Sequence, residues 1–259
     1  MPSAKLNGIT IEYQDGGTGP AVFLSHGYSA TGRMWDGQRA ALGDRYRVAS
    51  WDIRGHGSTE SPADPALYSH DLTVGDMRAL LDHLGLARPV VGGLSLGGTM
   101  SLAFYRAHPE RVRALVICDS GPGFRNDKAR TDWNQRAHER AADLEARGLD
   151  ALSGRSLEQR EAARHHRSAQ GLAHAARGML TQTDASLMDL LPDVKVPTLV
   201  IVGDRDTPFI PACEYMVKKI PGARLEVIKD AGHSSNLDQP DAFNRVLGAF
   251  LDSLPKDQA

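Results

Sequence analysis

The chain of 259 residues holds two cysteines, no surplus of charge, and no apolar run approaching the roughly 20 residues that a membrane helix needs. Each shortage removes a class of function. Cys118 ends an apolar strand and Cys213 falls in an expected helix, with no metal-ligand spacing between them. Both read as buried free thiols, and neither a disulfide framework nor a cysteine metal site is expected. Lys and Arg number 30 against 32 Asp and Glu, a net charge of −2, and no basic stripe is interleaved with aromatic residues. Nucleic acid is therefore not an expected partner. The amino-terminal stretch MPSAKLNGITIEYQDGG has no apolar signal core, so the expectation is a soluble, cytoplasmic protein without membrane contact. Among the histidines, His138, His165, His166 and His174 read as solvated or helix-packing positions. His165 and His166 are adjacent and cannot share a helix face as i, i+4 ligands would, so no metal is expected.

What is present is organised around residues 89–100, PVVGGLSLGGTM. A short β-branched run leads into Gly93-Leu94-Ser95-Leu96-Gly97, and Leu96 onward reads as a helix. A serine at the apex of such a strand–turn–helix takes a strained backbone conformation that lifts its hydroxyl above the sheet edge. Gly93 and Gly97 remove side chains that would collide where strand and helix approach. The same turn aims the Leu96 amide and the positive end of the helix at the space where a tetrahedral intermediate would carry its negative oxygen. A second amide is expected from Tyr28, because the apolar strand Ala21–Ser25 ends in His26-Gly27-Tyr28 and Gly27 lets the chain turn sharply.

Along the chain, Ser3–Tyr13 reads as a hairpin turning at Asn7-Gly8, and strands then alternate with helices. The turn Asp52-Ile53-Arg54-Gly55-His56-Gly57-Ser58 is read as self-bracing, with Asp52, Arg54 and His56 satisfying one another. Residues 69–84 are helical, with Leu72, Met77, Leu80, Leu81 and Leu84 on one side and Asp71, Asp76 and Arg78 largely elsewhere. Alternation of this kind implies an α/β fold with a mostly parallel sheet. Between Gly121 and Leu191 the strand signals stop. Polar, alanine- and arginine-rich helices are expected there at about 127–147, 157–167, 171–181 and 186–190. The organisation expected is a core of 1–121 and 192–259 with a helical cap, 122–191, inserted between two of its strands.

Ser95, an acid near Asp206, and His233 each follow a different strand, and residues in such places converge at the carboxyl edge of a parallel sheet. A serine hydroxyl becomes a competent nucleophile when a neutral imidazole takes its proton, and a carboxylate on the other ring nitrogen fixes the tautomer. With these residues on the page, the chain resembles the α/β-hydrolase superfamily over nearly its whole length. The motifs are His26-Gly27, Asp52-x-Arg54-Gly55-His56-Gly57, Gly93-x-Ser95-x-Gly97, Gly203-x-x-Asp206 and Gly232-His233, in that order. Within the superfamily it is most similar to lid-bearing esterases grouped with 3-oxoadipate enol-lactonases and cofactor-free haloperoxidase-type enzymes.

The resemblance implies Asp206 as the orienting acid, with Asp119 and Asp204 as the competing positions. It implies a serine esterase for small-molecule esters that needs no cofactor. An enol-lactone or carbon–carbon bond hydrolase is the alternative, and a small-molecule receptor retaining the fold is the alternative of another class. Trp133, Phe124, Arg125 and Leu172 are candidates for the pocket roof, Arg125 as a partner for a substrate carboxylate.

Overall fold

The computed structural model describes residues 1–153 and 162–255. Eight strands form one sheet in the order β1-β2-β4-β3-β5-β6-β7-β8. They are β1 (Ser3–Leu6), β2 (Ile9–Gly16), β3 (Ala21–Ser25), β4 (Arg47–Trp51), β5 (Val90–Leu94), β6 (Ala114–Cys118), β7 (Thr198–Gly203) and β8 (Arg224–Ile228). β2 runs antiparallel to both β1 and β4, and every pairing from β4 to β8 is parallel. The hairpin turns at Asn7-Gly8, both with positive φ, which suits the twist of the paired strands.

The helices are α1 (Asp36–Leu42), α2 (His70–His83), α3 (Leu96–Ala107), α4 (Asp127–Arg147), α5 (Ala169–Ala175), α6 (Ser186–Leu190), α7 (Ile210–Lys219), α8 (Ser235–Asp238) and α9 (Pro240–Ser253). The central strands alternate their side chains between two cores. Phe23, Val91, Leu115, Ile117, Val200 and Val202 meet α2, α3 and α7 on one face. Val22, Leu24, Val90, Val116, Leu199 and Ile201 meet α1 and α9 on the other. Both faces being covered explains why these strands read as unbroken apolar runs.

α2 starts on the Ser69 side chain, which accepts from the Leu72 amide, and stops where the Leu86 amide returns to the Leu81 carbonyl past Gly85. Its expected polar side is not uniformly polar. Asp76 is fully buried and receives the Arg54 guanidinium in a two-pronged pair, Nε to Oδ2 at 2.6 Å and Nη2 to Oδ1 at 2.7 Å. Asn7 donates to the same carboxylate at 2.8 Å. Arg54 therefore braces its turn through α2 and the hairpin, which a one-dimensional helix pattern cannot display. Burial pushes the Asp76 carboxyl upward against the pull of Arg54.

Between β6 and β7 the described residues hold helices and no strand. α4 has the expected bounds, α6 matches the expected 186–190, and α5 continues into a π turn at Ala176–Leu180. Of the helix expected at 157–167, residues 157–161 lie outside the described residues; of the rest, only 162–163 are helical and 164–167 form a turn and loop that carries His166 inward. His166, assigned from sequence to a helix face, is in fact buried against the core, as described below. No helix among the described residues is long and apolar enough to cross a membrane.

Candidate active site

Ser95 sits between β5 and α3 with φ 54° and ψ −114°, a conformation that non-glycine residues rarely adopt. The turn is held by the Ser95 amide donating to the Cys118 carbonyl at 2.9 Å. A Cβ on Gly97 would overlap the Ser25 carbonyl oxygen, and one on Gly93 would meet Gly97 and Ser25 backbone atoms. These two glycines let β3, β5 and α3 come together beneath the serine. The Leu96 amide opens α3, where a helix has no internal acceptor to offer. Gly27 lies against Ser95, since a Cβ there would come within 3.5 Å of the Ser95 Cβ, and the turn that carries Tyr28 is closed by the Ala30 amide on the Gly27 carbonyl at 3.1 Å.

His233 Nδ1 lies 2.8 Å from Asp206 Oδ2, with Asp206 buried and the imidazole partly exposed. Their loops are knitted together, because the Asp204 amide donates to Ile228, the Arg205 amide to Ala231, and the Ala231 amide to the Asp204 carboxylate. Asp204 is thus an exposed loop tie. Asp119, the third acid, is fully buried at the end of β6. It accepts from the Gly203 amide at 2.9 Å and from the Ser235 hydroxyl, joining the strand before Asp206 to the helix after His233. Burial pushes its carboxyl up to about 7, against the hydrogen bonds from Ser235 and Gly203.

A cavity of about 280 Å³ opens at Ser95. Its lining includes Ser95, Leu96, Phe124 and Trp133 from the sequence expectations, together with Phe209 and Arg136. Phe209, which lines it, packs on His233 with ring centroids 4.7 Å apart. Two expected roof residues are elsewhere. Arg125 is paired with Asp189 at 2.5 Å, and Leu172 is buried in the core, where its carbonyl takes the Tyr28 hydroxyl at 2.9 Å. The sequence reading missed Phe209, Met179, Leu180, Gln182 and Arg136. Phe209 alone carried a signal, standing three residues after Asp206 in the same turn.

Behind the Tyr28 turn lies a cluster of buried histidines. His26 Nε2 accepts from the Ile53 amide at 2.9 Å and Nδ1 donates to the Gly27 carbonyl at 2.6 Å. His166 Nδ1 accepts from the Gly57 amide at 2.9 Å and Nε2 donates to the Ser29 carbonyl at 3.0 Å. His56 lies between them, with ring centroids 5.0 Å from His26 and 6.0 Å from His166. A second proton on His26 or His166 would set an N–H against an amide N–H. Burial lowers both to about 4 and takes His56 well below its usual value. The sign follows from linkage: the unfolded histidine binds its proton near pH 6.5 and the folded one does not, so the stability these residues carry declines as pH falls from 6.5 toward 4. The stability gap between wild type and His166→Gln is expected to narrow by about 3 kcal/mol over that window, as read by urea melts at pH 7 and pH 4. A gap independent of pH would contradict a neutral, core-tying His166.

The comparisons with known proteins agree with this architecture. The sequence profile of the alpha/beta hydrolase family matches residues 21–246. A Bacillus subtilis protein named "Putative 2-succinyl-6-hydroxy-2,4-cyclohexadiene-1-carboxylate synthase" is 30% identical over 250 residues, covering 90% of this chain and 91% of its own. The 3-oxoadipate enol-lactonase 1 of Acinetobacter baylyi is 28% identical over 270 residues, covering 95% of each. Among solved structures, a thermophilic esterase from Thermogutta terrifontis, with malate bound, superposes with a TM-score of 0.86 at 28% identity, covering 99% of this chain and 100% of the other. The elbow serine, the parallel sheet and these matches lead to one conclusion: the chain belongs to the alpha/beta hydrolase family.

Proposed function

We propose that the protein is a serine hydrolase that cleaves carboxylic esters of small molecules through an acyl-enzyme intermediate. The observation that carries this reading is the 2.8 Å contact from Asp206 to His233 Nδ1 beside a pocket that exposes Ser95 at a strained elbow. With Nδ1–H donated to the carboxylate, Nε2 is left as the proton acceptor. It takes the Ser95 proton as Oγ attacks the ester carbonyl. The developing oxyanion is held by the amides of Leu96 and Tyr28, and the alcohol leaves with the proton from His233. Water then loses a proton to His233, attacks the acyl carbonyl and releases the acid, restoring Ser95. The cycle closes on this chain's own groups and calls for no cofactor.

We further propose that 122–191 acts as a lid. In support, Phe124, Trp133 and Leu180 from this segment line the same cavity as Ser95 and Leu96. Its predominantly apolar wall suits a hydrocarbon acyl or alcohol part. A lactone is the second reading, favoured by the similarity to the enol-lactonase, because ring opening uses the same steps with the alcohol retained in the product.

The test is a p-nitrophenyl acyl series from acetate to decanoate beside an enol-lactone. Turnover across the esters with an optimum at one chain length is expected. Turnover of the lactone alone favours the second reading. Ligand-dependent partner binding without turnover of either points to a receptor and overturns the enzyme assignment.

A further inference from the structure

Lys128, Arg130 and Arg147 on α4 each hold an acid of the same helix, Asp132, Asp127 and Asp143 respectively. Arg136 does not. Its helical neighbours are engaged elsewhere, Asp132 with Lys128 and Glu139 with the Gln135 amide, and Arg136 has no ion-pair partner among the described residues. Most exposed arginines are solvated surface groups; this one lines the cavity that holds Ser95, and no Asp or Glu among the described residues lines that cavity.

Its position is built. Trp133, one turn earlier on the same face of α4, is fixed by its indole N–H donating to the Leu180 carbonyl at 2.6 Å. The Trp133 ring meets Phe124 at 5.8 Å and Phe209 edge-on at 6.4 Å, and Phe209 in turn packs on His233 at a tilt of 31°. The Arg136 guanidinium lies over the Trp133 ring, 5.9 Å from its centroid. A cation–π contact of this kind uses none of the guanidinium N–H groups as hydrogen-bond donors, which leaves them to form a fork matched to a carboxylate. An aromatic wall thus runs from the proposed base to a cation.

We infer that Arg136 anchors a carboxylate carried by the substrate, so that the preferred substrates are esters or lactones with an anionic group at the end remote from the scissile carbonyl. This rests on the ester-hydrolase reading above. The apolar wall takes the hydrocarbon between the two ends, and the cation sets which end faces Ser95. Water adds across the acyl–oxygen bond, and when the charge lies on the acyl part the product acid is a dicarboxylate. Arg136 acts on binding and orientation and takes no part in proton transfer.

The experiment compares mono-p-nitrophenyl esters of succinate, glutarate and adipate with p-nitrophenyl esters of the uncharged acids of equal chain length, each corrected for uncatalysed hydrolysis. Wild type is expected to favour the best charged ester over its neutral match by about tenfold in kcat/KM, the low end for a charge-assisted hydrogen bond at a wet rim. The preference is expected to shrink in 0.5 M salt through screening, roughly the regime where the Debye length falls to a few ångströms. Arg136→Gln removes it, Arg136→Lys keeps part of it, and Lys128→Gln on the same helix leaves it intact.

Equal use of both series by wild type, or an undiminished preference in Arg136→Gln, overturns the anchor while leaving the esterase standing. If no ester is turned over, the ester-hydrolase reading is what has failed. Calorimetric binding of glutarate, present in wild type and lost in Arg136→Gln, then decides the anchor on its own, and binding that is absent or unaffected by the substitution overturns it.

Discussion

Ser95→Ala is expected to lower turnover of a p-nitrophenyl ester by about a million-fold while leaving thermal stability and product binding near wild type. The size follows from what the side chain does in the proposed cycle. Without Oγ no acyl-enzyme forms, and His233 has no proton to take. What remains is orientation in the pocket and the two amides, and such remnants sustain roughly a thousand-fold over water. The variant keeps the backbone strain, since alanine also carries a Cβ at φ 54°. The turn is held by the Ser95 amide on the Cys118 carbonyl, a backbone bond that the substitution does not touch. Retention of more than a small fraction of turnover would mean that water or another side chain is the nucleophile, and the elbow would then be a turn without chemistry.

The second large effect is on stability. Asp76→Asn is expected to cost about 3–5 kcal/mol, because it leaves the Arg54 guanidinium buried without its carboxylate. At about 2–4 °C per kcal/mol for a chain of this size, melting falls by the order of 10 °C. Replacing both partners, Arg54→Met with Asp76→Leu, is expected to recover most of the loss, since the cost lies in the unpaired charge and not in absent packing. A single variant as stable as wild type, or a double variant no better than the single, would contradict this. The consequence reaches the site through one loop. Arg54 shares its turn with Gly57, whose amide donates to His166, and with Ile53, whose amide donates to His26 beside the Tyr28 turn.

How much of this could be read in advance depended on the range of the interaction. The strands, their alternation with helices and the serine elbow are local matters of β-branched runs and glycine placement. β3 and α4 have the bounds read from sequence, and the α/β architecture followed from them. The choice among three acids was different. Asp119, Asp204 and Asp206 all follow strands; the resemblance implied Asp206, and the coordinates show that Asp206 meets His233, Asp204 ties a loop, and Asp119 is buried between Gly203 and Ser235.

From sequence, Asp76 reads as lying off the apolar side of its helix and His166 as a solvated or helix-packing position, because both sit in polar stretches. Their partners are 22 residues away for Asp76 and 109 and 137 away for His166, beyond any periodic pattern. The pocket wall was the least legible part. Trp133 and Phe124 line it, yet Arg125 pairs with Asp189 and Arg136 takes the place by the pocket. Arg125 precedes α4 and is paired with an acid, whereas Arg136, 11 residues later and on the helix, lines the cavity, and the seating of α4 on the core decides which of the two reaches it.

The most direct test of the proposed chemistry is exposure of the wild-type enzyme to a p-nitrophenyl alkylphosphonate, followed by peptide mass mapping. A nucleophilic Ser95 displaces p-nitrophenolate once and keeps the phosphonyl group. The expected result is one equivalent of p-nitrophenolate per chain, loss of esterase activity in step with its release, and the added mass confined to the peptide containing Ser95. Activity that survives the reagent, or a label on any other residue that tracks inactivation, would contradict the acyl-enzyme mechanism.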